Sequence, residues 1–267
     1  MKSRRLLTLG LCAGLLAVSA ARAEEKEWVL RVKQEGGGVS IHLGGSTLVG
    51  QGTRIKGSGV AVTKARTVAP FGRVRVDGPL DVRLVSAAAE GVRVHADDNL
   101  EPLIQTQVDG DTLVVGLKPG ASFSTRLDLR VEIDFKQLQA LQIKGSGDAQ
   151  IDRLKGERLD VEISGSGDLS IGLLEVRDFS ARLSGSGDVA LAGSAERQDF
   201  QLSGSGDVSA ASLSGGKVRA RLSGSGDLRI GVAQELDAEL SGSGDLSYSG
   251  RPKVTSRVSG SGDLIGR

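Results

Sequence analysis

The 267-residue chain contains one cysteine, Cys12, and it sits in an apolar leader rather than in the body of the protein. Disulfides, which staple many small exported domains, are therefore absent from the mature fold expected here. Aromatics are scarce too: one Trp, one Tyr and five Phe. Large rings carry much of a thick globular core, so thin layers of Val, Leu, Ile and Ala are expected instead. His42 and His95 are the only imidazoles, which excludes a metal centre built from a histidine cluster. There is no G-x-S-x-G elbow and no mature cysteine nucleophile. The GSGSG segments lack the Lys-Ser/Thr of a phosphate loop, and no helix is expected after them. Ladders of threonine, which an ice-binding face would want, are missing. After residue 23 no run approaches the 18 or more apolar residues of a membrane span.

The opening "MKSRRLLTLGLCAGLLAVSAARA" joins a basic start (Lys2, Arg4, Arg5) to an apolar run from Leu6 to Val18 and ends in Ala21-Arg22-Ala23. That is the pattern of a secretory signal peptide over residues 1–23, with cleavage after Ala23. Leu11 is bulky, which argues against lipidation at Cys12. Losing the four leader bases leaves 30 Lys/Arg against 33 acids, a net charge near −3. No basic surplus remains for nucleic acid. The destination is the periplasm or the outer cell surface.

What is abundant is glycine, 39 residues, without the three-residue period of collagen. The string GSGD begins at Gly145, Gly165, Gly185, Gly204, Gly224, Gly242 and Gly260. Its aspartates, Asp148, Asp168, Asp188, Asp207, Asp227, Asp245 and Asp263, are spaced 20, 20, 19, 20, 18 and 18 residues apart. Flexible linkers do not recur at a fixed interval between alternating apolar segments; solenoid repeats do. Each unit reads apolar-x-apolar-SGSGD-apolar-x-apolar. In "LSGSGDVAL", Leu183, Gly185, Gly187, Val189 and Leu191 share one parity, and Ser184, Ser186 and Asp188 the other. An extended chain then faces the first set inward and the second out. The inward glycines are expected to leave room for the wall to bend. Ile143, Ile163, Leu183, Leu202, Leu222, Leu240 and Val258 form one internal ladder. Ala149, Leu169, Val189, Val208, Leu228, Leu246 and Leu264 form another. No rung buries these alone, so stacked neighbours must. The prediction is a parallel β-helix or solenoid of about seven coils with GSGD corners over residues 141–267, roughly 30 Å long at about 4.8 Å per rung.

Residues 24–56 read as short β structure or a mobile N-terminal arm. Residues 57–140 read as a strand-rich region: "GRVRVDG", "LDVRLVS", "GVRVHAD", "LIQTQVDG", "DTLVVGL" and "RLDLRVEIDF" all alternate apolar and polar residues. Asp77-Gly78 and Asp109-Gly110 suit turns. A single helical turn is expected near Asp98-Asn99, capped by one of those side chains. The fold class is all-β.

The stretches "VRVDGPLDVRLV", "VRVHADDNLEPLIQTQVDGDTLVV" and "VEIDFKQLQALQIKGSGDAQI", with the later GSGD copies, resemble the autotransporter adhesin, head GIN-domain family of exported bacterial proteins. The resemblance covers most of the mature chain, with the blocks in the same order. It implies an all-β protein with a β-helical part, exported to the periplasm or cell surface.

The seven aspartates stand on one face, where aligned like charges repel. Each is expected to accept backbone N–H bonds at its own glycine corner. A cation ladder of calcium along Asp148, Asp168, Asp188, Asp207, Asp227, Asp245 and Asp263 is the alternative, although calcium wants six to eight oxygens. Lys144, Arg182, Arg221 and Arg257 share the outward parity and are candidates to neutralise the acids. No catalytic residue and no cofactor is expected. His42 and His95 read as solvated or packed strand residues. The expected function is a non-enzymatic envelope or surface binding module, adhesin-like, with an envelope glycan or protein as partner. A β-helix polysaccharide lyase or hydrolase is the alternative, and it would need the cluster Glu175, Arg177, Asp178 and Arg182. A structural or stress-related interaction module is the third. Val258, Leu264 and Ile265 on the last rung suggest an open edge and end-to-end self-association.

Overall fold

The computed structural model describes residues 54–232 and 234–267 with their side chains. Before them it describes four strands as backbone, Leu15–Val18, Trp28–Glu35, Gly38–Leu43 and Ser46–Val49. The chain divides into two compact units, residues 1–54 and 55–267. In the first, the four strands pair antiparallel in chain order. Cys12 and the cleavage site at Ala23 lie outside the described residues. Leu15–Val18 falls within the expected leader, so its pairing belongs to the chain before any cleavage.

Among its described residues the second unit's regular structure is all β apart from one 3-10 turn, Glu101–Leu103. Every rung has a first limb, a corner and a second limb. First limbs stack on first limbs and second limbs on second limbs, always parallel. Two walls result, with the apolar ladders between them. Ile143, Ile163, Leu183, Leu202, Leu222 and Leu240 are each at most 3% exposed. Burying each such side chain is worth about 1.5–3 kcal/mol, which offsets the ordering of a glycine-rich backbone. The 18- to 20-residue period varies where one rung passes to the next. Register shifts between Ile171 and Leu174, and between Ala190 and Ala192, absorb the difference.

Below the seven GSGD rungs lies an eighth that the repeat does not announce. Arg73–Asp77 pairs in parallel with Ala140–Gly145, and Asp81–Ser86 with Ala149–Lys155. Its corner is Asp77-Gly78-Pro79-Leu80-Asp81. Asp77-Gly78 is thus a solenoid corner, whereas Asp109-Gly110 closes a true antiparallel hairpin, with Gly110 at φ +61°. The foot of the eighth rung is itself covered. Thr112–Leu117 runs parallel to Arg73–Asp77, and Arg130–Phe135 parallel to Asp81–Ser86. Ile104–Asp109, Gly91–Asp97 and Ala61–Arg66 then extend the two walls antiparallel.

The expected helical turn at Asp98-Asn99 lies three residues later, over Glu101–Leu103, and no side chain caps it. Asp98 and Asn99 serve the entering chain instead. The Ser58 hydroxyl donates to Asp98, Ser58 N–H donates to Asn99 Oδ1 (3.0 Å), and Asn99 Nδ2 donates to the Lys56 carbonyl (2.9 Å). Glu101 is buried. Burial opposes its charge, but Arg66 and Lys64 outweigh that and hold its carboxyl below the usual range.

Candidate functional site: the aspartate column

The corner explains its own composition. A Cβ on Gly185 would stand 1.7 Å from the Gly165 carbonyl oxygen, and one on Gly187 2.0 Å from the Gly167 oxygen. The same contact recurs at every GSGD copy, at 1.7–2.4 Å. Glycine is therefore required because the missing side chain would point along the stack into the rung below. This corrects the expectation that the glycines make room inside the coil. The foot shows the rule by exception: Leu80 occupies the position of Gly147, and it tolerates a side chain because no corner carbonyl lies beneath it.

The aspartate solves a backbone problem at the same bend. Asp188 turns both its N–H and its C=O toward the rung below. The carbonyl accepts from Leu169 N–H (2.8 Å). The N–H has no carbonyl to meet, and it donates to Asp168 Oδ1 at 2.8 Å. Asp188 Oδ1 in turn accepts from Asp207 N–H at 2.8 Å. The chain of bonds is unbroken from Asp81 through Asp148, Asp168, Asp188, Asp207, Asp227 and Asp245 to Asp263, every step 2.8–2.9 Å. The expected backbone bonds exist, but each acceptor serves the next rung rather than its own corner. The serines divide their work. From the third copy onward the first serine bonds the rung below, as Ser203 Oγ does to the Leu183 carbonyl (3.1 Å). The second stands exposed.

One carboxylate oxygen is thus engaged on every rung but the last, and the aspartates themselves are exposed or half-buried. The adjoining column is mostly small: Ser170, Ala190, Ser209 and Ser247 stand in register there, with Arg83, Gln150 and Arg229 among them. Together they form a shallow groove of about 790 Å³ from Asp81 and Arg130 at the foot to Asp207 and Arg229. Basic relief is thin. Arg229 lies 3.7 Å from Asp227, while Arg83 is taken by Asp152 and Arg130 by Asp128. Of the bases expected to neutralise the column, Arg221 lies 3.8 Å from Glu239, and none of Lys144, Arg182, Arg221 or Arg257 reaches a repeat aspartate. Among the described residues no three Asp, Glu, His or Cys groups converge as a metal-ligand set.

The first-limb face carries charges of both signs. Asp178 is gripped by the Arg197 guanidinium, which holds its carboxyl below the usual range. Asp178 and Arg182 line a second groove with Arg197, while Glu175 and Arg177 do not. Arg177 instead stands between Glu157 (3.9 Å) and Glu196 (3.7 Å). Of the four residues of the lyase alternative, Arg177 and Asp178 are thus held in ion pairs with neighbouring rungs, while Glu175 and Arg182 take part in none among the described residues. His95 Nδ1 bonds Thr63 Oγ1 (2.9 Å), and its Nε2 lies 3.3 Å from Glu132, itself bound to Arg93. The sequence reading did not foresee this hydroxyl–imidazole–carboxylate row, because only strand pairing brings Thr63 and Glu132 to His95. His42 lies on a described strand, but its side chain lies outside the described residues.

Residues 70–252, from just below the eighth rung to the start of the last, match the family described as "Putative auto-transporter adhesin, head GIN domain". The chain belongs to that family. As a head GIN-domain protein it has solved relatives. A putative adhesin from Bacteroides fragilis is 25% identical, with a TM-score of 0.76 over 80% of this chain and 100% of that one. A putative adhesin from Parabacteroides distasonis is also 25% identical, with a TM-score of 0.65 and the same coverage. A putative lipid binding protein from P. distasonis, 24% identical with a TM-score of 0.66 over 80% and 100%, shares the fold. No curated protein matches. Family and relatives together support an adhesin-like role for this head GIN domain.

Proposed function

We propose that the protein is an exported, non-enzymatic binding module whose second-limb face receives an envelope glycan or another neutral to cationic polar ligand. The observation that carries this reading is the unbroken aspartate column, its residues exposed or half-buried along a shallow polar groove. Carboxylates at about 4.8 Å intervals accept hydrogen bonds from hydroxyl and ammonium groups and repel polyanions. An amino-sugar or neutral glycan fits that face; a polyuronate, the substrate of the lyase alternative, does not. The adhesin descriptions of the family and of its solved relatives favour binding over turnover.

A glycan array, run with and without calcium, tests the reading. Retention of neutral or amino sugars that falls in the double variant Asp188→Asn, Asp207→Asn supports it. Asparagine keeps the Oδ1 acceptor and removes only the charge. Equal retention by that variant, or turnover of an acidic polysaccharide, would sink it. A requirement for calcium would restore the cation ladder.

A further inference from the structure

Consecutive first limbs alternate in charge toward the head of the solenoid. Lys217–Leu222 reads KVRARL, Glu235–Leu240 reads ELDAEL and Lys253–Val258 reads KVTSRV. They pair residue for residue in parallel. Three ion pairs join the first two: Lys217–Glu235 (3.3 Å), Arg219–Asp237 (3.1 Å) and Arg221–Glu239 (3.8 Å). Lys253 and Arg257, the bases of the last limb, have no ion-pair partner among the described residues. Among those residues the limb also has a strand on one side only. Val254 is 36% and Val258 46% exposed, against 1% and 0% for Leu236 and Leu240 one rung below. The foot shows how this molecule finishes a rung: a strand outside the repeat adds to it in parallel. Among the described residues no such strand is added at the head.

We propose that Lys253–Val258 is a docking edge for an extended acidic segment of a partner protein, added in parallel as one more rung. The fitting pattern is that of ELDAEL: acids over Lys253 and Arg257, apolar side chains over Val254 and Val258. Strand addition draws its affinity from main-chain bonds and its selectivity from alternate side chains. Charged side chains on an edge, lysine above all, blunt it against indiscriminate pairing. Here the bases point outward and the valines stay open, so the edge selects an acidic strand rather than refusing all strands. A second copy is the wrong occupant. Antiparallel pairing of two such edges with the valines kept inward sets either Lys253 against Arg257 or Arg257 against Thr255, and neither supplies an acid. The edge lies outside the aspartate groove, so it stands or falls independently of the glycan reading.

The probe is a fluorescent peptide with the sequence QELDAELSGSG, titrated into the whole protein by anisotropy, beside its charge-reversed form QKLKAKLSGSG. The expected result is saturable binding of the acidic peptide alone, weakened by salt, with slowed amide exchange across residues 253–258. Lys253→Glu with Arg257→Glu should weaken the acidic peptide by about tenfold or more and admit the reversed one. The two-peptide comparison on the unchanged protein needs no variant to fold. Equal binding of both peptides, binding of neither, or concentration-dependent self-association through residues 253–258 in sedimentation would overturn the proposal.

Discussion

The two faces of the solenoid manage charge in opposite ways. On the first-limb face, acids and bases alternate from rung to rung and close on one another, as Lys217, Arg219 and Arg221 do on Glu235, Asp237 and Glu239. On the second-limb face, a single acid repeats from Asp81 to Asp263 and, among the described residues, meets one arginine, Arg229. Repetition of like charge is tolerated there because the carboxylate is first a backbone acceptor. A bend leaves one N–H without a ladder carbonyl, and an orphaned N–H is costly. Below its last limb the first face thus satisfies itself with side chains. The second satisfies its backbone and leaves charge to spare, which is the physical reason for placing the ligand there.

The largest effect should come from the corner that separates the faces. Gly185→Ala sets a methyl 1.7 Å from the Gly165 oxygen, a carbonyl fixed by the parallel ladder. Overpacking at this level costs about 3 kcal/mol or more, enough to split the stack near its middle. Gly156→Ala, with nothing within 4 Å of the new methyl, should change little. Thermal melts of the two variants decide whether corner glycines answer to the rung below; equal melting temperatures would refute that.

The next effect separates acceptor from charge. Asp188→Ala deprives Asp207 N–H of its partner. A hydrogen bond to a charged group is worth about 1.5–3 kcal/mol, and exchange of the Asp207 amide should quicken accordingly. Asp188→Asn keeps an oxygen in place and should leave that amide protected. Asp237→Ala on the first face breaks one exposed pair and should cost under about 1 kcal/mol. If Asp188→Asn exposes the Asp207 amide as fully as Asp188→Ala, the charge rather than the acceptor holds the column.

The solenoid was legible because GSGD recurs intact and its flanks alternate. Parity correctly placed Ser184, Ser186 and Asp188 outside and Leu183 and Val189 inside. The eighth rung was hidden for a physical reason. Strands lie beneath its limbs but no GSGD corner lies beneath its bend, where a Cβ on Gly78 would meet nothing within 4 Å, so "VRVDGPLDVRL" keeps of GSGD only Gly78 and Asp81 in the positions of Gly145 and Asp148. The partner of each aspartate was missed because an outward parity gives the face of a side chain and not its register. Asp148 lies 20 residues from the N–H it serves. The same limit applied to Arg221, which a shared parity associated with the aspartates and the register gave to Glu239. In residues 57–140 the alternation identified the strands, but alternation cannot say which strand lies beside which. His95 was therefore read without Thr63 or Glu132.

Salt should move the two faces in opposite directions. Adding salt relieves repulsion along the wild-type column and does nothing for a column already neutralised at Asp188→Asn and Asp207→Asn. The wild type therefore gains on that double variant as salt rises. Lys217→Gln removes an attraction that salt weakens in the wild type, so the wild type's advantage over it shrinks. Each shift is a few tenths of a kcal/mol, because adjacent charges lie well within the ~10 Å screening length at 0.1 M. Paired denaturant titrations at low and high salt read both signs. Shifts of the same sign would mean that the column behaves as part of a neutralised surface.

The smallest effect is confined to the first face and to acid. Arg197 holds Asp178 below the ordinary carboxylate range in the folded protein. A depressed folded value means that the unfolded chain takes up the proton first as pH falls. The pair's contribution is then complete above the unfolded value, near 4, and is lost as pH drops through the folded one. Asp178→Asn should melt lower than the wild type at neutral pH, by about 2 °C or less for an exposed pair in a unit of this size. That gap should hold down to about pH 4 and close only in stronger acid. A gap that closes between pH 7 and 5 would place the pair's charge on some other group and would break the picture of a first face that satisfies itself.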